Sequence, residues 1–274
     1  MKKFPIGIQL FSLRWFAEED LKGTLVALKE MGYDGVEFAG LYGYTPEEVK
    51  AMVDEIGLVP ISAHVPIENL LDDTVGEIAK YKAIGCKYIA LPWISEERRP
   101  GGQRYAETEA DIEMIAKEAK KQGITLLYHN HDFEFVKVDG DKYALDVMYE
   151  TIPADLLQTE LDTCWVNVAG ENPAEYIRKY SGRAPIVHLK DFVGQKSANM
   201  YELIGDDNTK AAEAPAAFHF AYVGSGKQDF PSIIEASEDA GAQWLIVEQD
   251  LPNEGMTALE CAKASREYLK SIGQ

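Results

Sequence analysis

Apolar residues along the chain recur in two alternating rhythms. One is helical: Leu21, Leu25 and Leu28 fall on one face, and Gly32 then leads into "DGVEF". The other is a short apolar run that ends in a polar residue. "TPEEVKAMVDEIG" predicts a helix with both ends marked: Thr45 caps it, Pro46 takes the first position, Glu48 completes a capping box and Gly57 stops it. "LVPISAH" follows. Gly85, Gly123, Gly182 and Gly241 then precede "KYIALP", "ITLLYHNH", "RAPIVHLKD" and "AQWLIVEQD", and Pro153 precedes "DLLQTELD". With the opening "PIGIQL", these runs predict eight strands, at about 5–10, 35–39, 59–64, 87–92, 124–130, 156–162, 185–190 and 244–249, each followed by a helical pattern.

Most of these runs are continuously apolar, as parallel strands buried on both faces are. Eight strand–helix units predict an α/β fold, a single (β/α)8 TIM barrel spanning residues 1–274. A doubly wound open sheet does not require eight units, and no GxGxxG follows the first strand. One irregular insertion, about 193–228, follows the seventh strand on the side where barrel sites form. A loop of that length is a candidate partial lid.

Composition narrows the partners. The 274 residues are 46% hydrophobic, enough for a large core. Forty-six acidic residues against 27 basic ones give a formal net charge of -19, which repels phosphate backbones and anionic membranes. The expected partner is therefore a small molecule, with no nucleic acid and no membrane; a homo-oligomer is compatible with the sequence. Cys86, Cys164 and Cys261 are far apart and form no CxxC pair, which points to a reducing compartment and cytoplasmic location. The apolar start is short and broken by Pro5 and Gln9, so it reads as a strand rather than a signal peptide.

Polar residues gather at the C-terminal ends of the predicted strands: Gln9, Glu37, His64, the group from His129 to Glu134, Glu160 with Asp162, His188 with Lys190, and Glu248 with Asp250. In a parallel barrel these ends meet at one mouth, where such folds place their chemistry. Strand alternation puts Gln158, Glu160 and Asp162 on one face, His188 with Lys190, and Glu248 with Asp250. An imidazole among several carboxylates suits a divalent cation: Mn²⁺, Mg²⁺ or Co²⁺, with Zn²⁺ also acceptable. Trp15, Phe16, Trp93 and Trp165 follow strand ends and are candidates for an apolar wall or for plain core packing.

"YHNHDFEF", "TELDTCWV", "PIVHLKD" and "WLIVEQD", in that order, with "GIQLFSLR" and "SAHVP" earlier, resemble the sugar phosphate isomerase/epimerase family, part of the xylose-isomerase-like TIM barrel superfamily. The resemblance covers nearly the whole chain. It implies metal ligands at Glu134, Asp162, His188 and Glu248, with His129, His131 and Asp132 as competitors for the place of Glu134. It also implies metal-dependent isomerisation or epimerisation of a keto-sugar or polyol-derived ketone through an enediolate. Glu134 and Glu248 would be the acid–base pair, with Lys190 and His64 as further catalytic groups. Glu37, His129, His131, Trp93 and Trp165 would then contact substrate. A dehydratase, of the inosose or dehydroshikimate type, is the main alternative. An endonuclease-IV-like enzyme would need more histidines than five and a basic DNA track, and a non-catalytic sugar-binding barrel would hold no stoichiometric metal. The chain departs from the family at "VGSGKQDF", where an acidic residue is common at Ser225. No obvious basic phosphate grip lies near the strand ends; Arg98 and Arg99 are the best candidates, but a solvated loop is the plainer reading of that pair, so an unphosphorylated substrate is favoured.

Overall fold

The computed structural model describes residues 2–197, 200–201 and 218–274. Eight parallel strands close into a barrel in sequence order: β1 (Ile6–Gln9), β2 (Gly35–Ala39), β3 (Val59–His64), β4 (Tyr88–Leu91), β5 (Thr125–His129), β6 (Leu157–Asp162), β7 (Ile186–Leu189) and β8 (Trp244–Val247). β8 pairs back onto β1 through Ile6 with Leu245 and Ile8 with Val247. All eight lie within the predicted ranges, and at least one helix follows each. The fold is a (β/α)8 barrel.

The helix at Pro46–Ile56 carries both halves of the capping box, with Thr45 and Glu48 bonding reciprocally, and ends at Gly57 with a left-handed φ of 79°. Outward strand residues such as Ile8, Val36, Leu126 and Val187 pack against the helices in one large core. Inside the barrel floor a smaller core forms from Ile61, Tyr88, Ala90, Leu127, Ile186 and Ile246. Glycine is required where this floor is tightest. A Cβ on Gly7 would come within 2.5 Å of Ile61 Cδ1, and one on Gly35 within 2.6 Å of the Val59 carbonyl oxygen.

Two hairpins decorate the mouth. Lys137–Asp139 pairs with Lys142–Tyr143, and Asp191–Gly194 pairs antiparallel with Phe218–Ala221. The second hairpin gives the predicted insertion a folded base. Residues 198–199 and 202–217, half of the candidate lid, lie outside the described residues. No described helix is long and apolar enough to cross a membrane.

Candidate metal centre and active site

Above the apolar floor the inward positions turn polar. Alternation brings Gln9, Glu37, His64, His129, Glu160 and His188 to one level, with Asp162, Lys190, Glu248 and Asp250 toward the mouth; all are buried or nearly so. His129, Asp162, His188 and Glu248 each offer a ligand atom within 4.8 Å of the others. His188 Nδ1 lies 2.8 Å from Glu248 Oε2, and His129 Nε2 lies 3.6 Å from Asp162 Oδ2.

Local structure fixes these groups. Asn130, the first residue beyond β5, accepts from the Asp162 backbone N–H at 3.0 Å and donates to the Asp162 carbonyl at 3.3 Å. Asp162 also caps the following helix by accepting from Trp165 N–H through Oδ1, leaving Oδ2 buried with no hydrogen-bond partner. Two imidazoles and two carboxylates, with such an orphaned oxygen among them, fit a divalent cation. Burial pushes the Asp162 carboxyl up to about 7, against the pull of Lys190. Burial also opposes charge on Glu248, but Lys190 and His188 hold it below the usual carboxylate range. Burial disfavours charge on Lys190 as well, yet Asp250, at 2.6 Å, and Glu248 keep it protonated.

Glu134 is placed elsewhere. Its carboxylate accepts from Tyr128 O–H at 2.7 Å and from His131 N–H at 2.8 Å, closing the turn after β5. Glu134 is absent from both metal-competent clusters among the described residues. The strand ends at His129, so alternation leaves that imidazole facing inward, and the chain has turned away before it reaches position 134.

A cavity of about 610 Å³ opens over the cluster, within the range of small-molecule sites. His64, Trp93, His129, His131, Lys190, Glu248 and Asp250 line it. Glu37 does not reach it: the side chain lies beneath, held by Gln9 at 3.2 Å and by the Ser62 hydroxyl. Trp165 is fully buried behind the wall, its ring 5.1 Å from His131 and 5.3 Å from Lys190 Nζ. Trp15 is an exposed rim residue under Arg14, and Phe16 packs against the main core.

The proposed phosphate grip is also redistributed. Arg98 is buried and pairs with Asp111 at 2.8 Å, away from the cavity. Arg99 stacks on Trp93 and Phe133, 4.2 and 4.1 Å from the ring centres. Asp132 binds Lys196 at 2.5 Å and the Tyr201 hydroxyl, tying the start of the insertion to the β5 loop.

Two groups escaped sequence reasoning. Asn130 lies inside the polar group after β5 with no role assigned to it from sequence, yet its amide bridges two strand ends and orders Asp162. Asp191 accepts four backbone N–H bonds, from Phe192, Gly224, Gly226 and Gln228, at 2.7–3.1 Å. The glycines of "VGSGKQ" were the available signal: a Cβ on Gly226 would meet Asp191 Oδ1 at 2.2 Å.

Residues 25–272 match the family model described as xylose isomerase-like TIM barrel. The chain belongs to that family. Among its relatives, an inosose dehydratase of Geobacillus kaustophilus is 23% identical over 300 residues, covering 98% of this chain and 95% of the relative. A sugar phosphate isomerase/epimerase from Parabacteroides distasonis has the same fold, with a TM-score of 0.75, 22% identity, and coverage of 99% and 96%. The IOLI protein, crystallised with a bound zinc atom, superposes with a TM-score of 0.73 at 14% identity, covering 98% of each chain. This xylose isomerase-like barrel is thus similar to proteins named for dehydration and for isomerisation, and it shares its fold with one crystallised with zinc.

Proposed function

We propose that the protein is a metal-dependent lyase that removes water from a cyclic keto-polyol, an inosose or a close relative, with His129, Asp162, His188 and Glu248 as the metal ligands. The convergence of those four side chains beside Lys190 carries the metal-dependent chemistry, and similarity to inosose dehydratases supports loss of water as its outcome. The cation would act as a Lewis acid on the substrate carbonyl. Glu248, held anionic, takes the proton from the carbon next to that carbonyl. The electron pair left behind forms the carbon–carbon double bond as the β-hydroxyl departs. Lys190 donates a proton to that leaving group. A lysine with a raised pKa still protonates hydroxide, whose conjugate acid has a pKa of about 15.7. Trp93 and His131 line the cavity wall beside these groups.

Epimerisation is the second reading, supported by the shared fold of the isomerase/epimerase. It needs proton-transfer groups on both faces of the substrate, and the carboxylate expected for that task, Glu134, is engaged by Tyr128 and His131. Incubation with an inosose in deuterated water separates the two: a lyase yields a product that has lost one water, whereas an epimerase yields an isomer that keeps it and gains only the deuterium taken up at the exchanged carbon. Chelation is expected to abolish both turnover and carbon–hydrogen exchange. Exchange that persists in verified metal-free protein would sink the mechanism.

A further inference from the structure

Beneath the four candidate ligands lies a set of buried groups that the proposed chemistry does not use. Glu37 on β2 and Glu160 on β6 meet across His64, whose Nε2 is 3.0 Å from Glu37 Oε1 and 2.6 Å from Glu160 Oε2. Gln9 and Ser62 donate to the two Glu37 oxygens. Both cation-facing histidines turn their second nitrogen toward this pair. His129 Nδ1 is 3.1 Å from Glu160 Oε2, while its Nε2 points toward Asp162. His188 is mounted the other way round. Its Nε2 is 3.0 Å from Glu37 Oε1 and 3.4 Å from Glu160 Oε2, while its Nδ1 meets Glu248.

An ionised carboxylate only accepts hydrogen bonds, so it keeps a proton on whichever imidazole nitrogen faces it. The opposite nitrogen is left with the lone pair that a metal requires. We infer that Glu160 and Glu37 are positioning residues for the cation: Glu160 keeps the proton on His129 Nδ1, and Glu37 keeps it on His188 Nε2. His129 Nε2 is thereby presented as a donor; His188 Nδ1, which meets the Glu248 carboxylate at 2.8 Å, would present its lone pair once a cation takes the proton's place between them. His64 joins the two carboxylates and keeps them apart from the ion. The inference rests on the metal-centre reading above.

A second ion in the lower set is the competing arrangement, since His64, His129, Glu160 and His188 also cluster within 4.8 Å. That set shares His129 and His188 with the upper one, and its carboxylate, Glu160, does not line the cavity, whereas Glu248 does. The tie from Glu160 to His129 is a directed hydrogen bond, whereas His188 Nε2 approaches Glu37 off the line of a good one. Glu160 therefore carries the larger effect.

Two measurements on the full chain test this. In the zinc-loaded wild type labelled with ¹⁵N-histidine, long-range proton–nitrogen spectra are expected to show His129 protonated at Nδ1 and His188 at Nε2. The reverse tautomers would overturn the assignment without any variant having to fold. By calorimetric titration with Zn²⁺, Glu160→Gln is expected to weaken binding about 10- to 100-fold, and Glu37→Gln less, with one ion per chain and unchanged near-ultraviolet dichroism. Undiminished affinity in Glu160→Gln would refute the positioning role, as would two ions per wild-type chain with one lost in that variant. Wild-type protein that binds no ion would bring down the metal-centre reading itself, and this inference with it.

Discussion

At the scale of single residues, the contest within "YHNHDFEF" turns on where β5 ends. Spacing along the chain offers His129, His131, Asp132 and Glu134 as near-equals, because all lie within six positions of the strand end. Only the three-dimensional turn shows that His129 closes the strand facing inward, while Glu134 bonds Tyr128. Asp162, His188 and Glu248 were legible as inward-facing polar groups from strand alternation, and their role as ligands came from the family resemblance rather than from the pattern itself. His188→Ala and His129→Ala are therefore expected to lose metal while the barrel remains folded, as read by metal content and far-ultraviolet dichroism. Glu134→Gln is expected to retain metal affinity within about twofold. Glu134 has a separate signature: burial pushes its carboxyl from 4.5 to about 8. A group raised on folding supports the fold fully below pH 4.5 and loses that support as pH rises through about 8. Urea unfolding between about pH 5 and pH 9 is expected to show a loss on the order of 3 kcal/mol that Glu134→Gln removes.

Among the elements, periodicity recovered all eight strands and the capped helix at Pro46–Ile56, since each rests on local chemistry that a short window contains. The hairpin from Asp191–Gly194 to Phe218–Ala221 was not legible, because its strands are separated by a long insertion and its closing contacts are non-local. Asp191 is the pin of that element. Truncating it strands four backbone N–H groups that now share one carboxylate. An unsatisfied buried group costs about 1–3 kcal/mol, so Asp191→Ala is expected to destabilise the protein by at least about 2 kcal/mol in urea titration. A change below about 0.5 kcal/mol would show that solvent replaces the carboxylate at no cost.

Over the whole molecule, the barrel divides into an apolar floor and a polar upper storey, and the two respond differently to substitution. Gly7→Val would drive a side chain into Ile61 and Ile246. Overpacking of this kind costs about 1–3 kcal/mol, so the midpoint of thermal unfolding is expected to fall while activity per folded molecule persists. A large loss of metal affinity in Gly7→Val would mean that the floor and the site are mechanically coupled.

The upper storey is a column of acids: Glu37, Glu160, Asp162, Glu248 and Asp250 lie along one barrel axis, with Lys190 and the imidazoles between them. So many carboxylates in one dry shaft cannot all be anionic at once without a counter-charge, and Asp162 already sits near neutrality at about 7. A cation entering the column is thus exchanged for protons. Calorimetry in buffers of different ionisation enthalpy is expected to register proton release on metal uptake, and apparent affinity is expected to rise with pH across neutrality. The shaft that would hold the ion is, before the ion arrives, a proton reservoir, and the two cargoes compete for the same oxygens.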